Sequence, residues 1–204
     1  MFFRKILSLC LSLLLLAFVG CAQTQGTSKA DDTSNSATVS GTATAVIEIE
    51  DYGTITAQLN ANAAPITVNN FIKLSEEGFY NGLTFHRIME GFMMQGGCPD
   101  GTGFGGSDQN IKGEFLANGV NNTLSHTRGA LSMARSQSYD SASSQFFIVH
   151  EDSTFLDGSY AVFGYVTEGI EVVDKVCTKA KPTDNNGTIP KSAQPVIKSI
   201  KIVK

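Results

Sequence analysis

Ala45–Glu50 is a strand-like run carrying Val46, Ile47 and Ile49, polar and apolar residues alternate with period two over Thr54–Leu59, and the turn signal Asp51-Tyr52-Gly53 between them predicts a β-hairpin. Further strand-like runs are Thr84–Ile88, Phe92–Gly97, Ala130–Ala134, Phe146–Val149 and Val162–Val166. The last run, Pro195–Val203, interleaves Ile197, Ile200 and Ile202 with Lys198 and Lys201. Two segments carry a helical signal instead. Pro65 suits a first helical position, Val68, Phe71, Ile72 and Ser75 then fall on one face, and Gly78 ends the segment. Gly169–Cys177 is the second, with Ile170, Val173 and Val176 or Cys177 turned inward. Many short strands and only two helices indicate a mainly β, closed architecture, for which periodicity alone leaves barrel and sandwich both open.

The N-terminal part has a different pattern. Arg4 and Lys5 precede an apolar run, Ile6–Val19, that is interrupted only by Ser8, Cys10 and Ser12. A membrane span needs about 20 apolar residues, so this length suits a signal-peptide core better. Phe18-Val19-Gly20-Cys21 resembles a bacterial lipoprotein processing box, with Phe18 where leucine is usual. That resemblance implies a signal peptide over residues 1–20, cleavage before Cys21 and lipid attachment to its sulfur. An ordinary secretory signal and an uncleaved N-terminal anchor are the alternatives. Residues 21–44 are almost entirely small and polar and cannot bury enough apolar surface to offset their ordering entropy, so a flexible tether is expected there. The folded domain is expected over residues 45–204, a size suited to one core. The net charge of −4 and the lack of any Lys/Arg run argue against nucleic acid as a partner.

Candidate chemistry concentrates in Phe85-His86-Arg87-Ile88 and Gly91-Phe92-Met93-Met94-Gln95-Gly96-Gly97. On an uninterrupted strand Phe85 and Arg87 share a face, as do Met93 and Gln95. A guanidinium set beside apolar side chains can hydrogen-bond a polar group whose neighbours are apolar, such as a peptide carbonyl next to a proline ring. These segments resemble the signature of the cyclophilin-type peptidyl-prolyl cis-trans isomerases. Two further blocks agree in order: Gly129–Ala134 with Ser144–Ile148, and Phe155-Leu156-Asp157-Gly158 with Val162–Val166. The resemblance implies a closed eight-stranded antiparallel β-barrel capped by two α-helices. It implies Arg87, Phe92 and Gln95 as catalytic residues. It places Met93, Ala134, Arg135, Gln145, Phe147, Phe155, Leu156 and Tyr160 in the substrate site. It also moves Phe92 and Phe147 to the outer surface, whereas position alone favours the core for Phe92, Phe146, Phe147 and Phe163.

In this resemblance the partners are proline-containing polypeptides, and no cofactor or metal is needed. The expected protein is a monomer held outside the cytoplasmic membrane by the lipid on Cys21, where it assists the folding of exported proteins. A non-catalytic proline-peptide-binding module or adhesin is the alternative. Cys98 and Cys177 are expected to be free thiols. Three positions depart from common family members. Phe155 replaces a tryptophan, Tyr160 a histidine, and Arg135 an asparagine, which adds charge at the groove edge; weak cyclosporin inhibition follows from the first two. Other motifs carry less. Gly101-Thr102-Gly103-Phe104-Gly105-Gly106 matches a dinucleotide-type glycine pattern, but loop residues follow it where a helix is required. His86, His126 and His150 lack metal-ligand spacing, and no Ser-His-Asp nucleophile set is apparent.

Overall fold

The computed structural model describes residues 39–203; the expected signal peptide, Cys21 and the expected tether as far as residue 38 lie outside the described residues. Eight antiparallel strands form one curled sheet: β1 (Thr42–Ile49), β2 (Gly53–Asn60), β3 (Thr84–Met89), β4 (Met93–Cys98), β5 (Ala130–Met133), β6 (Phe146–Val149), β7 (Val162–Glu168) and β8 (Ile197–Val203). Their spatial order is β3-β4-β6-β5-β7-β2-β1-β8. Two helices, α1 (Pro65–Glu76) and α2 (Ile170–Lys179), pack against the sheet. The hairpin β1–β2 turns at Asp51, the one described non-glycine residue with positive φ, followed by Gly53. β1 begins before Ala45: Ala43 and Ala45 point inward and Thr42 and Thr44 outward, an alternation made of small residues.

Each helix follows from local chemistry. α1 has Pro65 at its start and buries Val68, Phe71, Ile72 and Ser75. Its first turn offers unpaired N–H groups. The buried carboxylate of Glu114 accepts those of Ile66 and Thr67, at 3.0 and 2.7 Å, so a residue far along the chain caps this helix. α2 follows Gly169 in the left-handed region, where the position a Cβ would take lies 2.2 Å from the Thr54 carbonyl oxygen. Its inward residues are Val172, Val173, Val176 and Cys177.

The interior of the curl is aromatic. Phe71, Tyr80, Phe85, Phe146 and Phe163 are fully buried and meet with ring centroids 5.2 to 6.0 Å apart. Cys98 and Cys177 are buried and unpaired. Burial, with Asp174 and Glu90 nearby, pushes the Cys177 thiol up to about 12. A buried thiol with a raised pKa is a poor nucleophile.

β3 departs from strict alternation. Phe85 pairs with Gly96 while Arg87 pairs with the adjacent Gln95, so His86 is an extra residue and the strand is bulged. The extra residue reverses the phase. Phe85 points into the core and Arg87 does not, so the expectation that they share a face is wrong.

Candidate active site

The strands that line the core also build a second, smaller cluster on the outer face. Met93, Ala130, Phe147, Val149 and Val162 are its buried members, and Phe92, Leu156 and Tyr160 pack against them. Their neighbours Met94, Leu131, Phe146, Ile148 and Phe163 belong to the core. Period-two alternation thus divides β4 to β7 between two apolar layers.

The outer layer surrounds a hollow of about 230 Å³ lined by Arg87, Phe92, Met93, Gln95, Ala134, Arg135, Phe147, Leu156 and Tyr160. Phe155, expected in the substrate site, does not line the hollow. It is 74% exposed and meets the Phe92 ring at 5.6 Å in a tilted contact instead, because its three-residue helical turn directs only Leu156 inward. Gln145 lines the adjoining groove of about 400 Å³, which shares Gln95, Ala134 and Arg135 with the hollow.

Arg87 is held on one side and open on the other. Its Nε–H donates to the Asn186 carbonyl at 2.8 Å, and Nη1–H donates to Gln95 Oε1 at 3.3 Å. The guanidinium lies 5.8 Å over the Phe92 ring. Its remaining protein partners are sulfurs: Met93 Sδ at 3.8 Å and Met89 Sδ at 3.4 Å. Thioethers are weak acceptors, so these N–H groups yield readily to an amide carbonyl. Partial burial pulls the guanidinium below its ordinary value against the opposing pull of Tyr160 and Asp184, yet it stays charged.

Gln95 relays this position. Its Nε2 donates to Gln145 Oε1 at 2.9 Å, and Gln145 Nε2 donates to the carbonyls of Gly103 and Gly105 at 2.8 and 2.7 Å. The glycine-rich loop is therefore the far end of a chain that starts at Arg87. Gly103 also covers His86, with the position of a Cβ 3.2 Å from Nε2. Both ring nitrogens of His86 are buried without a partner, and burial, with Arg87 nearby, lowers its pKa below the usual 6.5 against the weaker pull of Asp100.

Arg135 reaches the rim but is not a free charge. Its guanidinium sits 4.5, 5.0 and 5.1 Å over Tyr160, Phe115 and Tyr139. It donates to the carbonyls of Ser159, Ser136 and Gln137. Arg135 lines both the hollow and the groove, so its charge lies at their edge, held there by three rings and three carbonyls. Ala134 likewise donates its N–H to the Gln145 carbonyl at 3.0 Å, so that group is already paired within the protein.

Sequence reasoning missed His126, Ser132 and Asp157. His126 Nδ1 lies 2.7 Å from Asp157 Oδ1 and Nε2 lies 3.0 Å from Ser132 Oγ, so the three residues form a hydrogen-bonded chain that residue spacing does not reveal. Ser132 and the His126 ring are fully buried, so the serine cannot meet a substrate as a nucleophile. Among the described residues no group of three or more His, Cys, Asp or Glu could hold a metal ion.

Comparison with known proteins agrees with this geometry. The family model of the cyclophilin type peptidyl-prolyl cis-trans isomerases matches residues 44–204. The chain is 52% identical over 123 residues to peptidyl-prolyl cis-trans isomerase B of Bacillus subtilis, covering 60% of this chain and 82% of the relative. It is 41% identical over 172 residues to peptidyl-prolyl cis-trans isomerase A of Dickeya dadantii, covering 80% and 86%. A cyclophilin-type isomerase of Cryptosporidium parvum, solved in the presence of the dipeptide Ala-Pro, superposes with a TM-score of 0.69 at 30% identity, covering 79% of this chain and 99% of that one. The architecture, the outer hollow and the match over nearly the whole described chain lead to one assignment: the chain belongs to the cyclophilin-type peptidyl-prolyl cis-trans isomerase family.

Proposed function

We propose that the hollow holds the ring of a proline residue and that Arg87 accelerates cis–trans isomerisation of the bond before it. The observation that carries this is a half-buried guanidinium on the wall of a small apolar recess, held through Nε by Asn186 and through Nη1 by Gln95, with weak sulfur acceptors as the other partners of its Nη groups. Rotation about a peptide bond is opposed by its partial double-bond character, with a barrier of about 18–20 kcal/mol. Uncatalysed isomerisation before proline takes tens to hundreds of seconds. No bond breaks, so no nucleophile is needed. As the bond twists, the proline nitrogen becomes pyramidal and its lone pair localises. A donor directed at that nitrogen, or at the proline carbonyl oxygen, favours the twisted form over both planar forms. Each 1.36 kcal/mol gained only in that form gives about a tenfold rate increase.

Phe92, Met93, Phe147 and Leu156 bury the pyrrolidine ring and fix one side of the rotating bond. Gln95 and Gln145 orient Arg87 and face the flanking backbone. The adjoining groove takes the neighbouring residues of an extended peptide, with the Ala134 carbonyl as one acceptor. Phe155, outside the hollow and without an indole N–H, and Tyr160, engaged with Arg135, both weaken cyclosporin binding.

The competing function is peptide binding without catalysis. A protease-coupled assay on a proline peptide separates the two. Arg87→Ala is expected to lower kcat/KM by about 100-fold, the size of losing one preorganised donor. Equal rates in variant and wild type leave binding as the function.

The proposal extends to the rest of the chain. The leader over 1–20 is cleaved, Cys21 carries diacylglycerol, and the polar segment from Cys21 as far as residue 38, shorter than the expected 21–44 because Val39 already bonds Asn69 and β1 starts at Thr42, holds a monomeric domain outside the cytoplasmic membrane, where it folds exported proteins. The apolar run that ends at Gly20-Cys21 supports this, as does the small polar composition that follows. Among the described residues no helix is long and apolar enough to cross a membrane. Cys21→Ser is expected to release the protein or block its processing; full membrane retention of a correctly cleaved Cys21→Ser chain contradicts the anchor. We also propose that the curled sheet closes as a barrel. The bonds Phe85 N–H to Pro195 O at 2.9 Å and Ile197 N–H to Leu83 O at 2.7 Å, at its two edges, support this.

A further inference from the structure

The Ser132–His126–Asp157 chain, buried at its serine and histidine, stands directly behind the hollow. The imidazole of His126 stacks on the Phe147 ring at 5.9 Å with 13° between planes, and it meets the edge of Tyr160 at 6.4 Å. Ser132 lies opposite Phe147 in the β5–β6 pairing, so the residue that binds Nε2 shares a face with the ring that His126 supports. On its other side His126 holds a turn. Its backbone N–H and its Nδ1 both meet Asp157 Oδ1, at 2.8 and 2.7 Å, and its carbonyl accepts the Ser153 N–H at 2.7 Å. Ser153 and Asp157 flank the helical turn Thr154–Leu156, which carries Leu156 into the hollow. The His126 side chain thus supports Phe147 and Tyr160 directly, and Leu156 through one hydrogen bond to Asp157, beside two bonds from the His126 backbone to the same turn.

The protonation states fit a fixed strut. Burial lowers the pKa of His126 below 6.5 despite the pull of Asp157, so the imidazole is neutral. Partial burial tends to raise the Asp157 carboxyl, but hydrogen bonds from the Ser125 hydroxyl and from the His126 backbone and ring outweigh it, so the group ionises more readily than usual. Nδ1–H therefore donates to the carboxylate, and Nε2 accepts the Ser132 hydroxyl proton. Both ring nitrogens are satisfied, and a ring bonded at both ends cannot rotate without losing a bond.

We propose that His126 is a positioning residue for the isomerase reaction, fixing the gap between Phe147 and Leu156 to the width of a five-membered ring. This rests on the proline-site assignment above. It differs from a purely stabilising role, because a strut that sets the width of a recess controls which ring fits, whereas a stabilising contact changes only the amount of folded protein.

The test uses two peptides that differ only in carrying proline or its six-membered homologue, pipecolic acid. cis–trans exchange is measured by NMR at a temperature where each variant is folded. His126→Phe keeps the ring stack and removes both hydrogen bonds. Asp157→Ala, altered at a side chain that is 36% exposed, loosens the same turn and serves if the first variant does not fold. Catalysis on the proline peptide is expected to fall about tenfold, within what a misplacement of about an ångström costs. Catalysis on the pipecolyl peptide is expected to hold or rise, so that the preference of wild type for proline shrinks. An unchanged preference in the folded variants, with wild type active, overturns the role of His126 alone. A wild type inactive on both peptides overturns the isomerase assignment and this inference with it.

Discussion

The inside of the curled sheet and the hollow on its outer face are made by the same strands, one residue out of step. On β6, Phe146 and Ile148 point to the core and Phe147 and Val149 to the outer layer; on β4, Met94 faces in and Met93 and Gln95 face out. The inner layer is closed by aromatic rings on several sides. The outer layer is left with one side open, and its polar groups are tied to one another: Arg87 to Gln95 to Gln145 to the glycine-rich loop, and Asp157 to His126 to Ser132. Burial of apolar area gives stability without direction, whereas hydrogen-bonded chains fix positions. The two layers should therefore fail differently when altered.

The largest separation is expected from adjacent phenylalanines. Phe146→Ala should cost near the upper end of the range for buried phenylalanine, about 5 kcal/mol, and Phe147→Ala near the lower end, about 3 kcal/mol. Chemical unfolding measures the costs. Isomerase activity per folded molecule should persist in the first variant and fall in the second. Similar losses of activity in both would dissolve the distinction between the layers.

A smaller effect is expected at the rim. Arg135→Ala removes three ring contacts, each worth about 0.5–1 kcal/mol when exposed, together with the bonds that hold the Ser159 and Ser136 carbonyls. A loss of about 1–2 kcal/mol in stability is expected, with KM rising more than kcat falls because Tyr160 loses its backing. If Arg135 instead serves as a free charge, the variant alters selection for acidic peptides and leaves stability unchanged.

The smallest effect is a dependence on pH. His86 and His126 both have folded-state pKa values below the ordinary 6.5. Above that value the two histidines are neutral whether folded or unfolded and contribute no pH dependence. As pH falls through 6.5, the unfolded chain binds protons that the folded chain does not, so stability declines. The slope is at most about 1.4 kcal/mol per pH unit for each histidine. Thermal unfolding at pH 7 and pH 5.5 measures it, and His126→Phe should flatten the decline. A wild-type melting temperature that rises toward pH 5.5 contradicts the assignment of both rings as neutral.

Much of the sheet is legible in the sequence because alternation is a local signal, and both helices announce themselves through Pro65, Gly78 and Gly169. The failures have equally specific causes. The start of β1 is hidden because Ala43 and Ala45 are inward residues too small to stand out from the small, polar sequence that precedes them. The bulge at His86 carries no glycine or proline to mark it, and that single residue reverses the relation of Phe85 to Arg87. The ring enclosure of Arg135 draws Phe115, Tyr139 and Tyr160 from three segments, and the His126 chain draws Ser132 and Asp157 from two more. Such meetings are set by the curl of the sheet and have no signature in residue spacing. The family resemblance names the lining of the hollow but not what holds it in place.

The central claim is that a guanidinium beside an apolar recess favours the twisted bond over the planar ones. The most direct measurement sets peptide affinity beside the cis–trans exchange rate, by NMR on one proline peptide, for wild type and Arg87→Ala. Affinity retained within a few-fold and catalysed exchange reduced by about 100-fold is the predicted result. Exchange that survives the substitution in proportion to the peptide bound would contradict it.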